Sequence, residues 1–114
     1  MLEVAAVLFA LAALAGIILA ALHLKTKGAP IPLAVIHGLL AAAGLVLLII
    51  GVTQMASAGL AGVALVIFVI AALGGFVLFA MHLKKKLLPS ALIVVHGLLA
   101  VVAFVVLLIF LMRS

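Results

Sequence analysis

Charged residues are scarce in this 114-residue chain, and cysteine, tryptophan and tyrosine are missing altogether. Only 6% of the residues are charged and 74% are hydrophobic, whereas a soluble domain carries about 25% charged residues. Without cysteine the chain has neither a disulfide framework nor a thiolate metal site. Its single acid, Glu3, excludes the paired carboxylates that many hydrolases use. The composition is therefore not that of a soluble enzyme.

Four long apolar runs make up almost the whole chain, at residues 2–24, 31–52, 59–83 and 87–112. Each exceeds the ~20 residues that a helix needs to cross the hydrocarbon core of a membrane. Open strands would leave backbone groups unpaired in lipid, so only helices fit. The first run lacks the basic start of a signal peptide, and we interpret it as a retained span. The sequence predicts one all-α domain over residues 1–114, a four-helix transmembrane bundle with up-down-up-down topology in the lipid bilayer.

The chain is also an internal repeat with an offset of 59 residues. About 25 of the 55 position pairs between residues 1–55 and 60–114 are identical, more than an apolar composition produces by chance. The shift carries the sequence His-Gly-Leu-Leu-Ala at 37–41 onto 96–100. Because each copy holds two spans, both copies have the same orientation. We predict two tandem parallel helical hairpins, related by a pseudo-two-fold axis along the membrane normal.

Lysines are concentrated in the two short turns within the hairpins, as Lys25, Lys27, Lys84, Lys85 and Lys86. Lysines in short loops mark the cytoplasmic side of a membrane protein. We therefore predict cytoplasmic turns and external termini, in the inner membrane of a bacterium or an archaeon. Only Arg113, near the carboxy terminus, opposes this assignment. The formal charge of +5 is interpreted as a topology signal, and nucleic acid is not a predicted partner.

Four histidines lie inside the apolar runs, and the offset of 59 carries His23 to His82 and His37 to His96. An ionisable group inside a bilayer is costly and indicates a functional site. At 1.5 Å per residue, His37 and His96 lie roughly 10 Å below the lysine turns, and His23 and His82 roughly 4–6 Å below them. Alternate spans are diagonal in such a bundle. We predict that His37 faces His96 across the core and that His23 faces His82 nearer the surface.

Small residues accompany these histidines. Gly16, Gly44 and Gly75 each lie seven residues from a histidine of the same span, two turns away on one helical face. Interfaces between membrane helices are rich in small residues, because these let the backbones approach closely. The histidine faces are therefore predicted to point inward, with glycines that serve either tight packing or a planar ligand.

The residue types leave three interpretations of the histidines open. Two neutral imidazoles on diagonal helices bind a haem iron axially, with Lys25 and Lys84 at the level of its propionates. Four imidazoles at one depth would instead bind zinc, copper or nickel, although carboxylates that orient such ligands are missing nearby. Histidines also act as interhelical hydrogen-bonding groups or as a proton path, worth only ~1 kcal/mol per contact.

The constellation resembles that of the small transmembrane b-type cytochromes, and it consists of His23, His37, His82, His96, Gly16, Gly44 and Gly75. The resemblance covers all four spans. It implies haem b held between histidines of different spans, and electron transfer with a quinone, a small oxidant or a redox partner protein. Because two haems at nearly one depth would collide in one bundle, we expect one haem; two would require a splayed bundle or a homodimer.

Within this resemblance, His37 and His96 are the expected axial ligands, and His23 and His82 the neighbours of the propionates. The alternative is that His23 and His82 bind the iron. Electron transfer across the whole bilayer is not expected, because all four histidines lie on one side.

Whether the chain is an enzyme stays open. It has no serine–histidine–aspartate set, cysteine nucleophile or phosphate loop, so any reaction would be a haem-dependent oxidoreduction. The alternative function is that of a haem-free small membrane protein, whose histidines pack, relay protons or bind a transition metal.

Overall fold

A computed structural model describes residues 1–26 and 28–113; Lys27, one of the turn lysines, and Ser114 lie outside the described residues. The chain forms four helices, α1 (Leu2–Lys25), α2 (Ile31–Thr53), α3 (Leu60–Leu83) and α4 (Ser90–Met112). Each is long and apolar enough to cross a membrane, in a bundle measuring 45 × 23 × 19 Å. The predicted all-α transmembrane bundle is confirmed.

Prolines set where the second helix of each hairpin begins. Pro30 and Pro89 are the N-caps of α2 and α4, and both have extended backbone. Proline is pre-organised to start a helix, and it keeps the residue before it out of helical conformation. The apolar run 87–112 therefore begins three residues before α4, because Leu87 and Leu88 belong to the turn that ends at Pro89.

The two turns end their first helices differently. After α3, the amide of Lys86 donates to the carbonyl of Met81 and that of Lys85 to His82, both at 3.0 Å, which is a Schellman motif. Lys85 has a φ of +57°, in the left-handed region where a side chain costs about 1–2 kcal/mol. After α1, Thr26 keeps right-handed backbone, with a φ of −110°.

The helices pack first as hairpins and then as a bundle. Helix α1 packs mainly on α2, and α3 mainly on α4. The hairpins meet more sparsely, along an α2–α3 seam and an α1–α4 seam. Helices α1 and α3 are therefore diagonal, as are α2 and α4, which confirms the predicted topology.

Small side chains dominate the interior, and no polar side chain of the described residues is buried there. The buried alanines are Ala5, Ala6, Ala12, Ala15, Ala34, Ala61, Ala64, Ala71 and Ala103. The largest fully buried side chains, Leu48 and Leu107, are equivalent in the repeat. Together with the buried Gly44, they confirm that the faces of α2 and α4 that follow the histidines point inward.

Candidate functional site

The four histidines meet as two pairs between the hairpins. The ring centroids of His37 and His96 are 6.3 Å apart, with an angle of 84° between the ring planes. Those of His23 and His82 are 4.8 Å apart, at 85°. Both predicted pairings are confirmed, and each pair joins equivalent residues across the pseudo-two-fold axis.

Each histidine of the deeper pair, His37 and His96, forms a hydrogen bond within its own hairpin. The Nδ1 atom of His37 lies 2.7 Å from the carbonyl oxygen of Ala12, and that of His96 lies 2.8 Å from the oxygen of Ala71; the offset of 59 relates the two bonds. A carbonyl oxygen only accepts, so Nδ1 of each ring donates its N–H. In the neutral imidazole, Nε2 then keeps a free lone pair.

Gly16 and Gly75 make room for these two rings. A Cβ atom on Gly16 would lie 2.9 Å from Cε1 of His37, and one on Gly75 would lie 3.0 Å from Cε1 of His96. Both distances are too short for unstrained contact. The sequence associated these glycines with the histidines of their own helices, whereas each faces the histidine of the neighbouring helix.

The same contacts place the deeper pair level with the middle of α1 and α3. The His37 ring lies level with residues 12–16 of α1, about 15 Å along that helix from Lys25 at 1.5 Å per residue. The predicted depth of ~10 Å is counted along α2 from Pro30 instead, and it stays a prediction.

Gly44 serves a different contact. A Cβ atom there would lie 3.2 Å from the ring of Phe9, which stacks on Phe68 with ring centroids 3.9 Å apart and ring planes 6° apart. The sequence did not predict this pair, although the offset of 59 relates the two phenylalanines. This stack separates the histidines from the ends of the bundle that hold the termini.

The pair nearer the lysine turns is asymmetric. Nε2 of His82 lies 2.8 Å from the carbonyl oxygen of Ala29 and donates to it, which joins the two hairpins. His23 touches His82 edge to face but forms no hydrogen bond with the residues that the structure describes. The repeat therefore keeps both histidines but only one of the two bonds.

Positive charge is concentrated at the same end. Lys25 and Lys84, predicted near propionates, are exposed there together with Lys85 and Lys86. Glu3 lies at the other end of α1, 3.7 Å from the amino terminus. No carboxylate side chain therefore compensates the four described lysines.

A bare metal ion finds few ligands in this arrangement. Among residues 1–26 and 28–113, no three histidine or acidic side chains are grouped closely enough to hold one, whereas structural and catalytic zinc sites use three or four protein ligands. The histidines come together two by two, which suits a cofactor that needs only two protein ligands.

The donor set of the deeper pair fits haem iron. Haem iron is bound by histidine nitrogens, and His37 and His96 would each supply one. The ring centroids of His37 and His96 are 6.3 Å apart, and the hydrogen bonds at Nδ1 leave both Nε2 atoms free. In the outer pair, Nε2 of His82 already donates to the Ala29 carbonyl. An imidazole that donates its second nitrogen to a carbonyl is also the usual form of a metal-binding histidine.

A flat macrocycle between His37 and His96 would require the two hairpins to move apart. Because His37 and His96 are each bonded inside their own hairpin, the hairpins can separate without breaking either bond. The described hydrogen bond that crosses between them is that of His82 to Ala29. The sparser packing between the hairpins than within them makes this the interface where a planar group would enter.

Comparison with known proteins gave no match to a protein family, a curated protein or a solved structure. The geometry of the histidine pairs is therefore the basis on which a function is proposed.

Proposed function

We propose that the chain is a membrane-embedded b-type haem protein for electron transfer, with one haem b held between the hairpins by His37 and His96. The observation that carries this proposal is that the two rings meet between the hairpins, each donating its Nδ1–H to a carbonyl of its own hairpin and leaving Nε2 free. Two neutral imidazoles with free Nε2 atoms are what axial ligation requires.

The surrounding residues support this role. The carbonyls of Ala12 and Ala71 hold each ring in one tautomer and orientation, and Gly16 and Gly75 let the rings lie close to the neighbouring helix. Apolar surroundings exclude water and set the local dielectric, which tunes the redox potential. Haem bound by two imidazoles supplies reversible one-electron exchange.

The lysine end of the bundle, which holds both lysine turns, is where a partner molecule would reach the site. Lys25 and Lys84 provide positive charge there for the propionates, and His23 and His82 lie between them and the deeper pair. Beyond the Phe9–Phe68 stack the described interior is apolar, so we place electron exchange at the lysine end. A lipid-soluble quinone, a small oxidant or a redox protein would be the partner, at the cytoplasmic face of a bacterial or archaeal inner membrane.

A visible spectrum of the purified protein tests the proposal. We expect a Soret band and, after dithionite reduction, sharp α and β bands. These bands should be lost in a His37→Ala/His96→Ala variant and retained in a matched His23→Ala/His82→Ala variant. Bands that survive in the first variant and disappear in the second would move the ligands to the outer pair. A colourless protein after expression with ample haem would refute haem binding.

The haem-free alternative has its own supporting observation. Three of the four imidazoles already bond to backbone carbonyls outside their own helix, two in a neighbouring helix and one in the first turn, as purely structural histidines do. Each such bond contributes on average about 0.6 kcal/mol in membrane proteins. This alternative predicts a colourless protein in which both double variants are destabilised to similar extents.

A further inference from the structure

A small cavity opens at the lysine end of the α1–α4 seam. Its volume is about 190 Å³, and it is lined by His23, Leu24, Leu87, Leu88 and Ser90. The repeat offset relates these residues to a matching set at the α2–α3 seam, namely His82, Leu83, Gly28, Ala29 and Ile31. The two seams can therefore be compared position by position.

Side-chain size explains why the α2–α3 seam is closed. Gly28 and Ala29 are small, so the first turn approaches until the Ala29 carbonyl lies 2.8 Å from Nε2 of His82. Leu87 and Leu88 take these places in the second turn and line the cavity. The turn is then held away from α1, and His23 lacks the hydrogen bond that its counterpart makes.

The cavity combines two polar groups with apolar walls. His23 and Ser90 offer an imidazole and a hydroxyl, and Ser90 stands where the first repeat has the apolar Ile31. Three leucines complete the lining. An occupant that accepts hydrogen bonds and also has apolar groups, as an amphiphile does, fits this combination.

The charge around the cavity selects an anion. Lys25 directly follows the lining residue Leu24, and Lys86 directly precedes Leu87; Lys84 and Lys85 belong to the same turn. All four are exposed, and the only acidic side chain lies at the opposite end of α1. Lysine clusters at the end of a transmembrane helix attract anionic headgroups, by about 1 kcal/mol per lysine.

We propose that this cavity binds the headgroup phosphate of an anionic membrane phospholipid. His23 and Ser90 donate hydrogen bonds to the phosphate oxygens, the leucines contact the glycerol and the first acyl carbons, and the lysines supply the attractive field. At the α2–α3 seam, the Ala29 carbonyl occupies the hydrogen-bonding nitrogen of His82, and Ile31 stands in place of Ser90. The proposal does not depend on haem, since neither His37 nor His96 lines the cavity.

Native mass spectrometry of the purified protein, with phosphatidylglycerol or phosphatidylcholine added at equal concentrations, tests the proposal. Bound haem has its own mass, so lipid occupancy is counted separately in the haem-bound and haem-free forms. We expect one tightly retained phosphatidylglycerol per chain and no comparable retention of phosphatidylcholine. Equal retention of the two lipids would overturn the proposal. So would displacement of the lipid by inorganic phosphate at a similar concentration, because the site would then recognise the free anion.

A pair of repeat-copying variants separates the cavity from general attraction by the lysines. Ser90→Ile introduces the residue of the first repeat and removes a donor without changing charge, and we expect it to weaken phosphatidylglycerol retention at least tenfold. Ile31→Ser is the matched control at the closed seam and should leave retention unchanged. A Leu87→Gly/Leu88→Ala variant, which copies the first turn, should also lose the lipid. If Ser90→Ile binds the lipid like the unmodified protein while keeping its helical content, the cavity is not the site.

Discussion

Single residues decide how the histidines are held. Gly16 and Gly75 are the points where a neighbouring imidazole lies closest to the backbone of another helix. Each ring thereby reaches a carbonyl one turn before its glycine, at Ala12 or Ala71. The glycines and the histidines act as one unit, because a larger residue at either glycine would push the ring off its carbonyl.

Adjacent glycines in α3 allow a matched test of this unit. A Cβ atom on Gly75 would lie 3.0 Å from the His96 ring, whereas one on Gly74 would lie 3.9 Å from it, an ordinary contact. We expect Gly75→Ala to destabilise the protein by about 1–3 kcal/mol, as overpacking does. If haem is bound, loss of the hydrogen bond between His96 Nδ1 and the Ala71 carbonyl should weaken haem binding about 10–100-fold.

Gly74→Ala should be neutral or slightly stabilising, because alanine favours a helix over glycine by about 1 kcal/mol. Unfolding in mixed micelles, followed by circular dichroism, measures both variants. Equal stability of the two would show that the His96 ring does not need the space at Gly75.

At the scale of elements, the two turns determine how the hairpins differ. The second turn ends α3 with a Schellman motif that requires left-handed backbone at Lys85. The first turn ends α1 at Thr26, whose hydroxyl lies 2.6 Å from the Leu22 carbonyl and donates to it. The second turn therefore carries a local strain at Lys85, whereas its counterpart Thr26 keeps right-handed backbone.

Replacing Lys85 by glycine should relieve this strain. A left-handed residue with a side chain costs about 1–2 kcal/mol, and the greater freedom of glycine in the unfolded chain offsets part of the gain. We expect Lys85→Gly to stabilise the protein by about 0.5–1 kcal/mol. Equilibrium unfolding in mixed micelles, compared with the unmodified protein, measures the change.

Two further variants control for charge and position. Lys85→Asn removes the same charge and also tolerates left-handed backbone, so it should show a smaller gain in the same direction. Thr26→Gly, at the equivalent place in the first turn, should be destabilising. A loss of stability in Lys85→Gly would mean that the Lys85 side chain contributes more than its backbone strain costs.

At the scale of the whole molecule, the protein consists of two hairpins, each bonded within itself, that meet through rings. The described ring contacts between the hairpins are Phe9–Phe68, His23–His82 and His37–His96. All three join equivalent positions, so the pseudo-two-fold axis runs through a column of ring pairs. Both lysine turns lie at one end of this column, which makes the molecule electrostatically polar along the membrane normal.

That polarity predicts orientation. With four exposed lysines at one end and Arg113 alone at the other, the positive-inside rule places the turns in the cytoplasm and the termini outside. A carboxy-terminal alkaline phosphatase fusion should therefore be active, and a green fluorescent protein fusion dark. Replacing the five turn lysines by glutamine should give a mixture of orientations. A fluorescent carboxy-terminal fusion of the unmodified chain would show the opposite orientation.

The spans, the hairpin repeat and the pairing of the histidines follow from local sequence and symmetry. Apolar length alone specifies a membrane-spanning helix, and an offset that relates His37 to His96 places them together once alternate helices are diagonal. The level at which the His37 ring meets α1 could not be predicted, because it depends on how α1 and α2 are placed against each other. That placement results from packing between helices and has no signal within either helix.

The sequence by itself thus determined four helices, their topology and which histidines meet, because the lengths of the apolar runs and the internal repeat can be read directly from it. Only the tertiary structure decided that Gly16 receives His37 and that Ala12 accepts its hydrogen bond, because both depend on the rotation of one helix against another. It also decided that the α2–α3 seam closes on His82 while the α1–α4 seam stays open beside His23. Leu87 and Leu88 produce that difference because they are larger than Gly28 and Ala29, their counterparts in the first turn. Side-chain volume matters only where a turn packs against a helix, so it shows its effect only in the folded chain.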